Sequence, residues 1–151
     1  MISPASWRRY FKPGFRAEFA ACRTAGTFVS LHSDGQIFDI LDDLVEIGVN
    51  KLNCQVSLIG INRVAEKLKG RICISANIDS QFVMPLGTSH DVRDLVKEIV
   101  MKLGSPKGGL ELQADLCPDV PLENIRALLD AIKEYRYYWV NNRNGFHPVN
   151  G

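Results

Sequence analysis

Residues 71–114 read RICISANIDSQFVMPLGTSHDVRDLVKEIVMKLGSPKGGLELQA, and this stretch decides the fold. Arg71 to Ile78 alternates, with Ile72 and Ile74 where a buried strand needs them. Thr88 with Asp91 three residues on makes an approximate capping box, so a helix opens there. Val92, Leu95, Val96, Ile99, Val100 and Leu103 then supply one apolar stripe at helical spacing, which stops before Gly104. Gly109 to Ala114 reads as a second strand. A strand, an amphipathic helix and a strand in succession make a βαβ unit, and the helical crossover lets the two strands run parallel.

The same alternation extends in both directions. Pro13 starts a helix with Phe15, Phe19 and Cys22 at helical spacing, Gly26 closes it, and Thr27 to Leu31 reads as a strand. Ile37, Ile40, Leu41, Leu44 and Val45 form a second apolar stripe that stops at Gly48. Lys51 to Cys54 is a short strand, and Val64, Ala65 and Leu68 belong to a shorter helix ending at Gly70. Beyond Pro118-Asp119-Val120-Pro121, a helix opens whose Ile125, Leu128, Leu129 and Ile132 face the core. The class is α/β: about four parallel strands with alternating helices, half of a TIM-type (β/α)8 barrel, a fold that normally takes ~250 residues. Half a barrel leaves two open edges of parallel sheet that something should cover. A free-standing four-stranded open sheet is the structural alternative. Residues 1–135 form the domain. Residues 136–151, where Tyr137, Tyr138 and Trp139 run into an Asn-rich stretch, are expected to be a disordered tail.

Composition narrows the partners. With 151 residues, 46% of them hydrophobic, and a formal charge of +1, the chain reads as one ordinary globular domain without a charged block. Nucleic acid and anionic membrane surfaces are therefore not expected partners, whereas a small molecule or a protein is. No apolar run reaches the ~20 residues that span a bilayer. The opening MISPASWRRYF has neither the basic segment nor the apolar stretch of a signal peptide, so a cytoplasmic location is expected. Cys22, Cys54, Cys73 and Cys117 form no C-x-x-C pair, which argues against a zinc ribbon and for free thiols in a reducing compartment.

Parallel α/β folds bind ligands at the carboxyl ends of their strands. Polar residues collect at all four ends: His32, Ser33 and Asp34; Asn53 and Gln55; Asn77, Asp79 and Gln81; Gln113 and Asp115. Neighbouring strands lie about 4.8 Å apart, so in a closed barrel these groups converge on one mouth.

The stretch Leu31-His32-Ser33-Asp34-Gly35, followed by an amphipathic helix and Glu46-Ile47-Gly48-Val49-Asn50, resembles the H-x-C/D-G … E-x-G-V-D segment of uroporphyrinogen decarboxylase-like proteins. Asn77-Ile78-Asp79-Ser80-Gln81 with Leu86-Gly87-Thr88 resembles that family's G-x-I-D-x-Q … P-F-G-T loop. Pro118-Asp119-Val120-Pro121-Leu122-Glu123-Asn124-Ile125 is similar to its closing P-x-x-P-x-E-N element. The three agree in order and spacing across about residues 4–135. The resemblance is to the C-terminal half of the uroporphyrinogen decarboxylase and corrinoid methyltransferase superfamily domain. For the methyltransferase branch it implies a zinc, bound by His-x-Cys and a later Cys, that activates a thiol for methylation. Here His32 keeps the first position, Asp34 stands at the second and Ala114 at the third. For the decarboxylase branch it implies a carboxylate on an early strand that would precede this chain, and a His where Ala114 stands. Neither catalytic set carries over, and the catalytic residues stay unassigned.

Asn53, Gln55, Asn77, Asp79, Gln81 and Gln113 are the expected substrate-binding residues. His32, Asp34 and Asp115 are the candidate metal set, because one imidazole and two carboxylates suit zinc or a harder divalent ion. The competing reading has Asp34 or Ser33 cap a helix beginning near Gly35, while His32 hydrogen-bonds within the mouth. Asp79 either meets a cationic or hydroxylic ligand group or, with Asn77, satisfies loop backbone. Cys117 reads as a small buried hydrophobe sooner than as a nucleophile or ligand, and His90 and His147 read as solvated.

The implied function is half of a barrel-mouth site for methyl transfer or decarboxylation of a small acidic substrate, tetrapyrrole or corrinoid-linked, inactive alone. A missing N-terminal half-barrel or a second copy of the chain would complete it. The alternative is a non-catalytic self-associating module or a remnant half-barrel.

Overall fold

A computed structural model describes residues 2–142. Four strands, β1 (Ser30–Ser33), β2 (Lys51–Cys54), β3 (Cys73–Asn77) and β4 (Leu110–Gln113), form one parallel sheet in chain order. That order is the arc of a barrel rather than a doubly wound sheet, whose strand order reverses partway.

Register divides the sheet into two unlike faces. Leu31, Leu52, Ile74 and Leu110 stand in one row across the four strands, and their row joins the hydrophobic core. Side chains alternate along a strand, so the next row, His32, Asn53, Ser75 and Glu111, points to the other face. The helices pack on the apolar face. Helix α1 (Pro4–Tyr10) and α2 (Lys12–Thr24) precede β1; a 3-10 turn (Phe38–Ile40) and α3 (Leu41–Glu46) follow it. After β2 come α4 (Val56–Ile59) and α5 (Ile61–Leu68), after β3 come α6 (Val83–Leu86) and α7 (Ser89–Leu103), and after β4 come α8 (Leu122–Tyr135) and α9 (Tyr138–Asn141). The best-formed start is that of α7, where the Thr88 hydroxyl accepts from Asp91 N–H and the Asp91 carboxylate accepts from Thr88 N–H. Gly48 ends the turn after α3 at φ +105°, a conformation that L side chains rarely adopt, so the position favours glycine.

Several elements depart from the sequence expectation. The first strand begins at Ser30 and not Thr27, because Asn50 takes up Val29: its side chain accepts from Val29 N–H and its own N–H donates to Val29 carbonyl. The stripe from Ile37 to Val45 splits into the 3-10 turn and α3. Leu129 faces out rather than into the core. Short helices α1, α4 and α6 carry too few periods for their pattern to be read. Part of the expected tail is structured: Tyr138–Asn141 are helical, and Trp139 Nε1 donates to the Val100 carbonyl at 2.7 Å. Residues 143–151, and with them His147, lie outside the described residues.

Candidate functional site at the barrel mouth

The polar face of the sheet carries a hydrogen-bonded row that crosses all four strands. Asn53, 7% exposed, is its hub: Nδ2 donates to the Ser75 carbonyl (3.0 Å), to Ser75 Oγ (3.3 Å) and to Asn77 Oδ1 (2.6 Å). The Ser75 carbonyl can only accept, so the Asn53 amide is oriented with Oδ1 toward β1, where it lies 2.5 Å from His32 Nδ1. His32 Nδ1 therefore donates to Asn53 Oδ1, and Nε2 lies 3.3 Å from Asp34 Oδ2, an oxygen that can only accept. On the other side Ser75 Oγ donates to Glu111 Oε1 (3.2 Å), and Lys51 Nζ donates to Glu111 Oε2 (3.0 Å). The Lys51 hydrogen bond holds the Glu111 carboxyl below its ordinary value, against the opposing effect of partial burial. Burial raises the Cys73 thiol, and the Glu111 charge adds to this.

Nearer the mouth, Gln55 Oε1 accepts from Gly35 N–H at 2.9 Å and so ties the loop after β1 to the end of β2. Asp79 Oδ1 accepts from the N–H groups of Gln81 (3.0 Å) and Phe82 (2.9 Å), the loop-satisfying role. A cleft of about 300 Å³ opens there, with Gln55, Asn77, Asp79 and Gln81 in its lining. Four of the six expected substrate-binding residues thus share one cleft, while Asn53 lies behind them in the row. Gln113, on the edge strand, receives only a long contact from Ser75 Oγ at 3.5 Å.

The expected metal set is not assembled. Asp115 follows β4, and His32 lies on β1, so the full width of the sheet separates them. Among the described residues no three His, Cys, Asp or Glu side chains gather at metal-binding separation. A tetrahedral zinc with bonds of about 2.0 Å sets its ligand atoms about 3.3 Å apart. His32 Nε2 and Asp34 Oδ2 have that spacing, which is equally that of a hydrogen bond. A catalytic zinc takes three protein ligands, and the described residues bring two together, so the site is incomplete for zinc as it stands. The helix-capping alternative is not realised either: the 3-10 turn starts after Ile37 with no side-chain cap, and Ser33 Oγ reaches only the Asp34 carbonyl. Cys117 is exposed rather than a buried hydrophobe, and His90 is solvated beside Asp94.

Ser75, Glu111 and Lys51 lie ahead of the carboxyl ends of their strands, where no local sequence signal marks a site residue. Each lies two residues before a residue that was singled out, Asn77, Gln113 and Asn53, and period-2 alternation places it on the same face.

Four parallel β/α units, helices on one face and a polar row on the other, define the protein as the C-terminal half of a TIM-type barrel. The sequence model of the family described as uroporphyrinogen decarboxylase (URO-D) matches residues 1–135, and the chain belongs to that family. It is 28% identical over 140 residues to a uroporphyrinogen decarboxylase of Thermus thermophilus, covering 88% of this chain and 38% of that one. It is also 28% identical over 139 residues to the methylcobamide:CoM methyltransferase MtaA of Methanosarcina barkeri, covering 89% and 38%. A solved methyltransferase from Methanosarcina mazei superposes with a TM-score of 0.68 at 24% identity, over 90% of this chain and 39% of that one, a likeness of fold. The chain thus spans about two-fifths of the length of the relatives it matches. No helix among the described residues is long and apolar enough to cross a membrane.

Proposed function

We propose that the chain supplies one half of the barrel-mouth site of a URO-D-family enzyme, for methyl transfer or decarboxylation of a small acidic substrate of tetrapyrrole or corrinoid-linked type. Alone it is inactive. An N-terminal half-barrel completes it, or else a second copy of the chain. The observation that carries this reading is the polar row itself, lying open between two unpaired sheet edges. Bulky branched side chains fill the interior of most TIM barrels. Here the face opposite the helices carries His32, Asn53, Ser75, Glu111 and Lys51, joined to one another, and a closed barrel would turn that face inward. The four free cysteines support a reducing, cytoplasmic setting. Zinc enters this reading only with a third ligand from the other half, His32 and Asp34 holding two positions.

The test is light scattering and elemental analysis on the chain, alone and co-expressed with the N-terminal half of a URO-D-family relative. A one-to-one complex that gains methyl-transfer or decarboxylase activity supports the proposal, and zinc bound only in that complex supports the shared metal site. A chain that stays monomeric beside its partner overturns it. A homodimer assigns closure to the second copy.

A further inference from the structure

Backbone groups fix which way the amides of the mouth are turned. Asn53 Nδ2 is committed to the Ser75 carbonyl and also donates to Asn77 Oδ1, so Asn77 keeps its own NH2 uncommitted. Gly35 N–H occupies Gln55 Oε1, which leaves Gln55 with an uncommitted NH2 as well. Gln55 and Asn77 follow the paired residues Cys54 and Ala76 on adjacent strands, so they emerge about 4.8 Å apart on the same face. Both line the 300 Å³ cleft. Ser57 lines it too, and its Oγ is buried without a hydrogen-bond partner among the described residues. Buried polar atoms are nearly always paired, so this hydroxyl marks the cleft wall as polar beneath its surface. Across the cleft, Asp79 has Oδ1 committed to loop N–H groups and Oδ2 uncommitted. Among the described residues it is the only charged one in the lining. Leu58 and Phe82, 56% and 65% exposed, give the cleft apolar sides.

We propose that this cleft is a subsite for a neutral, planar lactam or amide group. Its carbonyl accepts from Gln55 and Asn77, its N–H donates to Asp79, and its ring lies against Leu58 and Phe82. A carboxylate would meet the Asp79 charge with no lysine or arginine in the lining to offset it. A purely apolar group would leave two donors and an acceptor desolvated. The inference rests on the reading of the mouth as a substrate site and deepens it: the acidic groups of the substrate lie toward the complementary half, and this cleft takes a neutral N–H-bearing part.

The experiment is an NMR titration of the 15N-labelled chain, alone and in its closed assembly, with 2-pyridone and separately with benzoate, a carboxylate of similar size. The expected result is that 2-pyridone shifts the side-chain NH2 signals of Gln55 and Asn77, while benzoate binds at least about tenfold more weakly. Asp79→Asn keeps Oδ1 for the loop but replaces the free acceptor with a donor, and it is expected to reverse the preference toward benzoate. Equal binding of both probes, or 2-pyridone binding that leaves Gln55 and Asn77 unmoved, overturns the subsite. A chain that binds 2-pyridone but never pairs with its complementary half defeats the functional reading and leaves the subsite standing. An assembly that closes and ignores 2-pyridone does the reverse.

Discussion

Asp43 on α3 is buried, yet it anchors two cations: Arg8 Nε reaches it at 2.9 Å and Lys12 Nζ at 2.6 Å. Burial raises its pKa, but the hydrogen bonds from Lys12 and Arg8 together outweigh this and hold it below the ordinary 3.8. A carboxylate with a depressed folded-state pKa contributes stability that is present above the unfolded value and is lost as pH falls through the folded one. The docking of α1 and α2 is therefore expected to weaken below about pH 4. In Asp43→Asn the acid step in a urea midpoint measured against pH should shrink without vanishing, because Asp42, Glu46, Asp91 and Glu111 are also held below their ordinary values, and an unchanged step would reject the assignment. Asn53 is the other residue on which much hangs. Asn53→Ala strands Asn77 Oδ1 and His32 Nδ1, and a cost of about 1–3 kcal/mol in urea unfolding is expected. The 15N shift of His32 Nδ1 should move as its N–H loses the Asn53 acceptor, a change that simple loss of packing would not produce.

Among the elements, α7 is the one whose local sequence and tertiary contacts agree most fully. Its capping box closes at Thr88, and Val92, Val96, Ile99, Val100 and Leu103 are all buried, with α8 and α5 as the helix's main neighbours. Removing the box in Thr88→Ala is expected to cost about 1 kcal/mol, read as a lowered urea midpoint with an unchanged slope. Strands β2 and β3 are buried, whereas β1 and β4 are not, although all four are similar in length. The difference is position in the sheet. An edge strand has a neighbour on one side only, and no local pattern in Ser30–Ser33 or Leu110–Gln113 marks it as an edge.

For the molecule as a whole, the open edges and their apolar margins set the expected behaviour. Phe28, just before β1, is 88% exposed, and Leu122, at the start of α8, is 72% exposed. On the closure proposed above, Phe28 beside the edge strand β1 and Leu122 after the edge strand β4 would supply apolar contacts to the complementary half. Phe28→Asp and Leu122→Asp are each expected to shift the assembly toward monomer by light scattering. Because both positions are solvated in the chain, its own stability should change by no more than about 0.5 kcal/mol. Loss of the fold in either variant would mean that the residue supports the half-barrel itself.

The sequence by itself determined the parallel β/α alternation, the strand centres and the cluster of polar residues at the strand ends. Those features are local: Ile72 and Ile74 mark a strand, the stripe from Val92 to Leu103 marks a helix, and glycines mark the stops, whatever else the chain does. Gln55, Asn77, Asp79 and Gln81 were legible as a site because their place after a strand carries that meaning in any parallel fold. Only the tertiary structure decided that Asp115 stands away from His32, that Asn53 accepts from His32 Nδ1, and that Ser75, Glu111 and Lys51 extend the row down the sheet. Each of these depends on strand register, which pairs residues twenty or more positions apart. Register is fixed by packing across the whole sheet, and a single strand's sequence does not contain it.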